Sequence, residues 1–421
     1  MRPMFISLRH RNYRLWATAD LISITGTWMQ VLAVNWLVLS ATGSATRMGL
    51  TVLLQALPVL VIGPYAGALA DRLESRHLLV VTQSLHALLC LALAGVAATD
   101  APLSSVYALS FLAGVVTALE GPAMGRFASR IVGRDALGNA LALGSLINST
   151  GRIAGMSLGG ILVAVVGPAV LFLLNALSFG VVVLALLAIR TADLHPLAIS
   201  DTSGTSGIRE GLRYLRTERT VLVVLALAVI LGSLGRNYQV TMAAMAAGPL
   251  DAGGGGYGML STVFAIGTVI GALLAARIPV LSYRLLILAG LATSVLQVVS
   301  AAAPGVVSFA AVILLIAAGA VIIDTTVSTR AQLDTREEMR GRVLSALGVT
   351  SSLAGMLGAP LLGALSETLG ARGALLVGGV ATTLACLAAG AALQTRRRRN
   401  HTHAESPSVP QRARHREPVP A

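Results

Sequence analysis

A carboxylate or guanidinium inside a long apolar stretch is expensive to keep, so it marks proton binding, ion pairing or recognition of a charged solute. Five such residues interrupt the apolar stretches of this chain: Asp20, Glu120, Arg152, Arg236 and Asp324. Proton coupling needs a carboxyl that desolvation brings toward neutrality and that a guanidinium or entering water returns to its charged form. Asp20 is the first candidate for that carboxyl, with Arg152 as the partner that resets it. Asp20 shares a helical face with Ser23, Thr27 and Gln30, which makes a polar stripe opposite apolar residues. The competing reading is that Asp20, Glu120 and Asp324, each within about two turns of the end of its stretch, snorkel to the interface or cap loops.

Two further groups carry spacing. Gly67 and Asp71 sit where an apolar stretch ends in charge. The glycine lets a neighbouring helix approach, and Asp71 can accept from the N-terminal amides of an adjacent helix or belong to a plain charged turn. Gly151, Gly155 and Gly159 recur every four residues, and Asn148 and Arg152 fall within the same arc of about 100°, giving a close-contact seam with one charge in it, extended by Gly160. His86 stands alone in its stretch and reads as a packing histidine before a titrating one. Cys90 and Cys386 lie far apart in apolar runs, which gives no disulfide framework and no metal spacing. No P-loop, His-rich cluster or Ser/His/Asp grouping is present, so no metal, cofactor or catalytic residue is expected.

The elements that must position these residues follow from composition. Of 421 residues 55% are hydrophobic and 12% charged, with a mean hydropathy of +0.79. A soluble domain carries about 25% charge, so this is not a soluble enzyme. All 31 basic residues are arginine, giving a formal charge of +13. Such an excess suggests nucleic acid in a soluble chain, but these arginines occupy the loops between apolar runs, where they orient membrane helices. About 20 apolar residues span the hydrocarbon core. Runs of that length fall near 15–40, 48–70, 78–98, 104–123, 140–164, 168–189, 220–246, 257–276, 285–302, 306–327, 343–365 and 373–394, which predicts twelve crossings. The amino terminus, the even-numbered loops and the tail hold 27 arginines, and the odd-numbered loops hold only Arg47 and Arg372. The positive-inside rule then places both termini in the cytoplasm of a multi-pass inner-membrane protein. Arg9, Arg11 and Arg14 precede a first span with no cleavage signature, so that segment is expected to anchor.

The longest internal loop divides the spans six and six: residues 1–190, a linker 191–219 with a short basic amphipathic helix at Ile208 to Leu215, residues 220–395, and a basic tail 396–421 read as disordered. Gly138, Gly155, Gly160 and Gly167 recur as Gly341, Gly358, Gly363 and Gly370 at one constant offset, and Gly67-Ala-Leu is echoed by Gly271-Ala-Leu, as two six-helix repeats require. Trp16, Trp28 and Trp36 all fall in the first span. Arg396 to Arg399 would hold the end of the last span at anionic lipid.

The segment Gly67-Ala-Leu-Ala-Asp71-Arg72-Leu-Glu-Ser-Arg76 resembles the loop 2-3 signature of the major facilitator superfamily, with Glu74 and Ser75 replacing its usual Gly and Arg. Asn12-Tyr-Arg-Leu-Trp16, Thr42-Gly-Ser44, Leu57-Pro58, Gly63-Pro64, Arg134-Asp135, Tyr257-Gly258 and Arg340-Gly-Arg342 resemble the drug:proton antiporter branch that contains macrolide and enterobactin exporters. The span 5 seam is similar to the antiporter motif of exporters, with Met156 where that motif has proline. The resemblance implies an all-α integral membrane fold in two six-helix pseudo-repeats, with helices 1, 4, 7 and 10 lining a central cavity, and four of the five embedded charges fall on those helices. It also implies a latch between halves in which Asp71, Arg72, Arg76 and Arg126 take part. The expected function is a proton-coupled exporter of a drug-like or siderophore-like molecule by alternating access. The expected partners are a small-molecule substrate, protons and membrane lipids, with no nucleic acid and a monomeric chain. A proton-linked importer, and a membrane-embedded enzyme or non-transporting receptor, are the alternatives.

Overall fold

The computed structural model describes residues 6–99, 101–195, 219–235, 237–335 and 340–404, and every regular element among them is helical. The helices are α1 (Arg11–Thr42), α2 (Ala45–Arg72), α3 (Ser75–Ala98), α4 (Leu103–Val166), α5 (Pro168–Ala188), α6 (Arg219–Leu234), α7 (Tyr238–Ala247), α8 (Gly253–Arg277), α9 (Tyr283–Ala301), α10 (Val306–Leu333) and α11 (Arg340–Ala404). Ten stretches are long and apolar enough to cross a membrane, the last being Ala346–Ala392 with 47 residues.

Local chemistry sets the ends. Gly43 closes α1 in the left-handed region at φ 63°, and its N–H reaches Leu39 O. Ser44 then caps α2 by accepting from the Arg47 amide. Gly167, at φ 77°, turns the chain into Pro168 at the first position of α5. Gly370, at φ 76° and ψ 162°, breaks α11 between two apolar segments. Gly167 and Gly370 are one of the repeated glycine pairs, and both take the backbone conformation that L side chains rarely adopt.

Three expectations from sequence change here. The seventh span is not continuous: α6 ends at Leu234 and α7 starts at Tyr238. Asn237 Nδ2 donates to Gly232 O at 3.2 Å and Ser233 O at 3.0 Å, satisfying carbonyls that the break frees. The loop expected between spans 4 and 5 is helical, so α4 runs for 64 residues and carries two apolar stretches, Leu103–Val132 and Ala142–Val166. No proline falls between those stretches to remove a ladder hydrogen bond. The tail arginines Arg396 to Arg399 continue α11 to Ala404 and are helical, not disordered. The amphipathic helix expected at Ile208 to Leu215 and the tail beyond Ala404 lie outside the described residues.

Among the described residues the apolar core has three large parts and a small cluster of Cys90, Ala176 and Phe179. One cluster draws on both halves, with Leu32, Val38, Met48, Leu93 and Phe172 packed among Met242, Tyr257, Phe309 and Ala359. A second belongs to the first half alone, around Tyr13, Trp16, Phe127 and Leu186. A third belongs to the second half alone, around Leu231, Leu286, Val327 and Val343. The halves are thus packed together at the end that carries Arg47 and Arg372, and separately cored at the arginine-rich end. Close backbone contacts make the shared end: a Cβ on Gly160 would stand 2.3 Å from Gly258 Cα, and one on Gly49 would stand 2.5 Å from Ala359 O.

Candidate functional site

The described cavities that concern the sequence-predicted residues lie along α1. One, of about 350 Å³, is walled by α1 to α5 and lined by Asp20, Thr27, Gln30, Gln83, His86 and Glu120 among others. A second, of about 680 Å³, takes Tyr13, Trp16 and Asp20 from α1 and Ser145, Asn148, Ser149 and Arg152 from α4. A third, of about 180 Å³, continues past Thr27 and Gln30 to Asn35 and reaches Gln239 on α7. Asp20 and Trp16 line both larger cavities, so the polar stripe of α1 is the wall they share.

Helix packing fixes that stripe. Asn12 Nδ2 donates to Arg190 O at 3.0 Å and its Oδ1 accepts from the Arg190 amide at 3.1 Å, tying the start of α1 to the end of α5. Tyr13 OH donates to Ala140 O at 3.0 Å. The glycine seam of α4 lies on α1: a Cβ on Gly155 would stand 2.4 Å from Thr25 O, and one on Gly151 would stand 2.7 Å from Ile24 Cγ2. With no side chain between them, the two helices are close enough for Asn148 and Arg152 to face the same cavity as Asp20.

Glu120 is committed to neighbours. Gln83 Nε2 donates to its Oε1 at 2.7 Å, and His86 Nε2 stands 3.0 Å from its Oε2. The His86 ring stacks on Phe179, with centroids 5.1 Å apart. Sequence reasoning put His86 down as packing and did not single out Gln83. The signal was their three-residue separation, which puts both on one face of α3. Gln30 Oε1 accepts from Cys90 Sγ at 2.8 Å and from Asn175 Nδ2, which anchors the middle of the α1 stripe.

Asp20 is half-buried and makes no hydrogen bond or ion pair with another described residue. Arg152 does not pair with it. Its Nη2 donates to the Thr268 hydroxyl on α8, its guanidinium lies 5.7 Å from the Trp28 ring centroid, and its Nε is buried without a partner. Asp324 is exposed on α10 and lines none of these cavities, and Arg236 lies outside the described residues. Of the five embedded charges, the structure gathers Asp20, Glu120 and Arg152.

Gly67 and Asp71 belong to the last turns of α2, and Arg72 ends that helix exposed. Arg76 donates to Leu186 O at 2.8 Å and Leu187 O at 3.1 Å, meeting the negative end of α5 within the first half. Arg126 is half-buried on α4.

Comparison with known proteins agrees with this architecture. The nucleoside transporter NupG superposes with a TM-score of 0.73 at 11% identity, covering 90% of this chain and 98% of that one. A bacterial homologue of the iron transporter ferroportin, in an inward-facing state, gives 0.70 at 17% identity, covering 90% and 98%. Among curated relatives, the multidrug efflux pump Tap of Mycobacterium tuberculosis is 29% identical over 389 residues, 82% of this chain and 85% of that protein. The MFS-type transporter YfiS of Bacillus subtilis is 28% identical over 214 residues, half of each chain. The staphyloferrin A transporter of Staphylococcus aureus is 25% identical over 177 residues, 41% of this chain and 44% of that one. The chain therefore spans about half the length of these last two relatives. The sequence model of the family described as transmembrane secretion effector matches residues 3–417. The chain belongs to that family, and the curated relatives above are named as transporters or efflux pumps.

Proposed function

We propose that this transporter is a proton-coupled exporter of a drug-like or siderophore-like molecule, working by alternating access. The observation that carries the reading is the α1 wall. Asp20, uncommitted, lines two cavities, and Glu120 closes one of them in a network with Gln83 and His86. A carboxyl facing a cavity that is wet in one state and closed in another can take a proton on one side and release it on the other. Two relatives support the reading: one is named a multidrug efflux pump, which favours export, and another a staphyloferrin A transporter.

Twelve crossings in two six-helix repeats, residues 1–190 and 220–395, accommodate this reading. Gly370 divides the 47-residue apolar stretch in two, and α6 with α7 makes one broken crossing. Repeated glycines do matched work. Gly160 meets Gly258 of the other half, and its counterpart Gly363 meets Ala45 and Thr46 of the first. The two bundles rock about these contacts. Asp71, Arg72, Arg76 and Arg126 sit at the end where the halves are separately cored, where a latch would close when the cavity turns outward. Both termini are assigned to the cytoplasm.

The test starts from a susceptibility and metabolite-efflux panel comparing deletion and overexpression strains. The compound found is then followed in inverted vesicles carrying an imposed pH gradient. Export requires accumulation, and import requires loss. Asp20→Asn is expected to abolish gradient-driven accumulation while leaving membrane insertion intact. Unchanged accumulation with an unchanged pH profile removes Asp20 from the coupling.

A further inference from the structure

The larger cavity holds two opposite charges that do not neutralise each other. On the α4 wall, the Arg152 guanidinium is engaged by one neutral hydroxyl and one indole face. It joins none of the ion pairs among the described residues, and its Nε is buried with no acceptor. On the α1 wall, Asp20 likewise has no partner among the described residues. Charges kept apart at membrane depth are costly, and protein partners would ordinarily satisfy them. The cavity between them measures about 680 Å³, within the usual size of sites for drug-sized ligands, and Asn148, Ser145 and Ser149 add neutral hydrogen-bonding groups beside the arginine.

We infer that the substrate is an ampholyte, a small molecule that carries both a carboxylate and a protonated amine, with the carboxylate on Arg152 and the amine on Asp20. A guanidinium edge presents a fork of N–H donors that matches a carboxylate's two oxygens, and the unbonded Nε belongs to such an edge. The amine and a proton compete for Asp20, so loading the substrate releases the proton to water and reprotonation expels the substrate. This rests on the exporter reading above and narrows its substrate to one charge class. Because Arg152 also donates to Thr268 on α8, a carboxylate arriving there acts on a bond that joins the two halves.

The experiment is a fluorescence titration of the full chain, purified into lipid nanodiscs, with three probes that share one fluorophore. Dansyl-lysine carries amine and carboxylate, dansylcadaverine the amine alone, and dansyl-aminohexanoate the carboxylate alone. The native chain is expected to bind dansyl-lysine about tenfold more tightly than either of the others, the size of one well-made charged contact. Arg152→Gln is expected to remove the advantage over dansylcadaverine only, Arg152→Lys to keep part of it, and Asp20→Asn to remove the advantage over dansyl-aminohexanoate only. Equal binding of dansyl-lysine and dansylcadaverine by the native chain overturns the inference without recourse to any variant. So does an Arg152→Gln chain of native melting temperature that keeps the preference. Binding needs no gradient, so a chain that binds as expected but moves nothing in vesicles fails the transport reading and not this one.

Discussion

Glu120 and His86 show how much a single contact changes the meaning of a residue. Read along the chain, the histidine is alone on its helix. Folded, its Nε2 is 3.0 Å from a carboxylate that also accepts from Gln83 at 2.7 Å. A carboxylate that accepts from Gln83 and lies against an imidazole is held in place, as the relay proposed beside Asp20 needs. Glu120→Gln keeps the shape and removes the charge, and flux driven by a pH gradient is expected to fall at least about tenfold with normal expression. The double variant with His86→Asn is expected to be no worse than Glu120→Gln alone, because the two residues act as one unit. Additive losses in a vesicle assay would separate them. The sequence reading found Glu120 because a charge in an apolar run is conspicuous by type. It missed the partnership because α3 and α4 lie side by side only after folding. Arg152 was equally conspicuous, and in this structure its guanidinium turns to Thr268 and Trp28 rather than to Asp20.

At the scale of elements, the closed end depends on helices that touch without side chains. Gly160 of α4 and Gly258 of α8 meet backbone to backbone, where a Cβ would stand 2.3 Å from the opposing Cα and no rotamer could relieve the clash. Gly160→Leu is expected to destabilise this packed arrangement by about 1–3 kcal/mol, the usual size of an overpacking penalty. A cysteine replacing Val163, buried one turn further along α4, should then become reactive to a membrane-impermeant maleimide. Labelling no faster than in the parent cysteine variant would mean that the crossing is not what closes this end. The glycine pattern was legible beforehand because its period and its repeat are written in residue types. The break between α6 and α7 was not. No proline marks it, and it is stabilised by the Asn237 side chain folding back on Gly232 and Ser233, a local contact with no pattern along the chain. The continuity of α4 was missed for the converse reason, since charge between two apolar stretches reads as a loop whether or not the helix ladder persists.

For the whole molecule, opening toward the Arg47 side requires the shared core to part, and a polar contact on the Arg47 side of that core also links the halves. Glu367, on α11 three residues before its break at Gly370, accepts from the Ser44 hydroxyl and, at 3.1 Å, from the Thr46 amide at the start of α2. Charged hydrogen bonds of this kind favour the carboxylate. The Ser44 hydroxyl foremost, with the Thr46 donors and Arg47 assisting, holds the Glu367 pKa below its ordinary value. The sign follows from linkage. A carboxyl whose pKa is depressed in the latched state stabilises that state above its ordinary pKa, and the contribution disappears as pH falls through the depressed value. Acidifying the Arg47 side should therefore loosen this clasp, and Glu367→Gln should loosen it at neutral pH as well. Spin labels placed on α2 and α11 near Thr46 and Thr368 are expected to show a longer-distance population growing in the native chain as that compartment is acidified. In the Glu367→Gln chain that population is present from the start and independent of pH. Identical pH dependence in both chains would assign the opening to another acid. In the proposed mechanism, with proton entry from this side, the acidity that would load the α1 carboxyl would also release the clasp, so the gradient would act on two points between the halves.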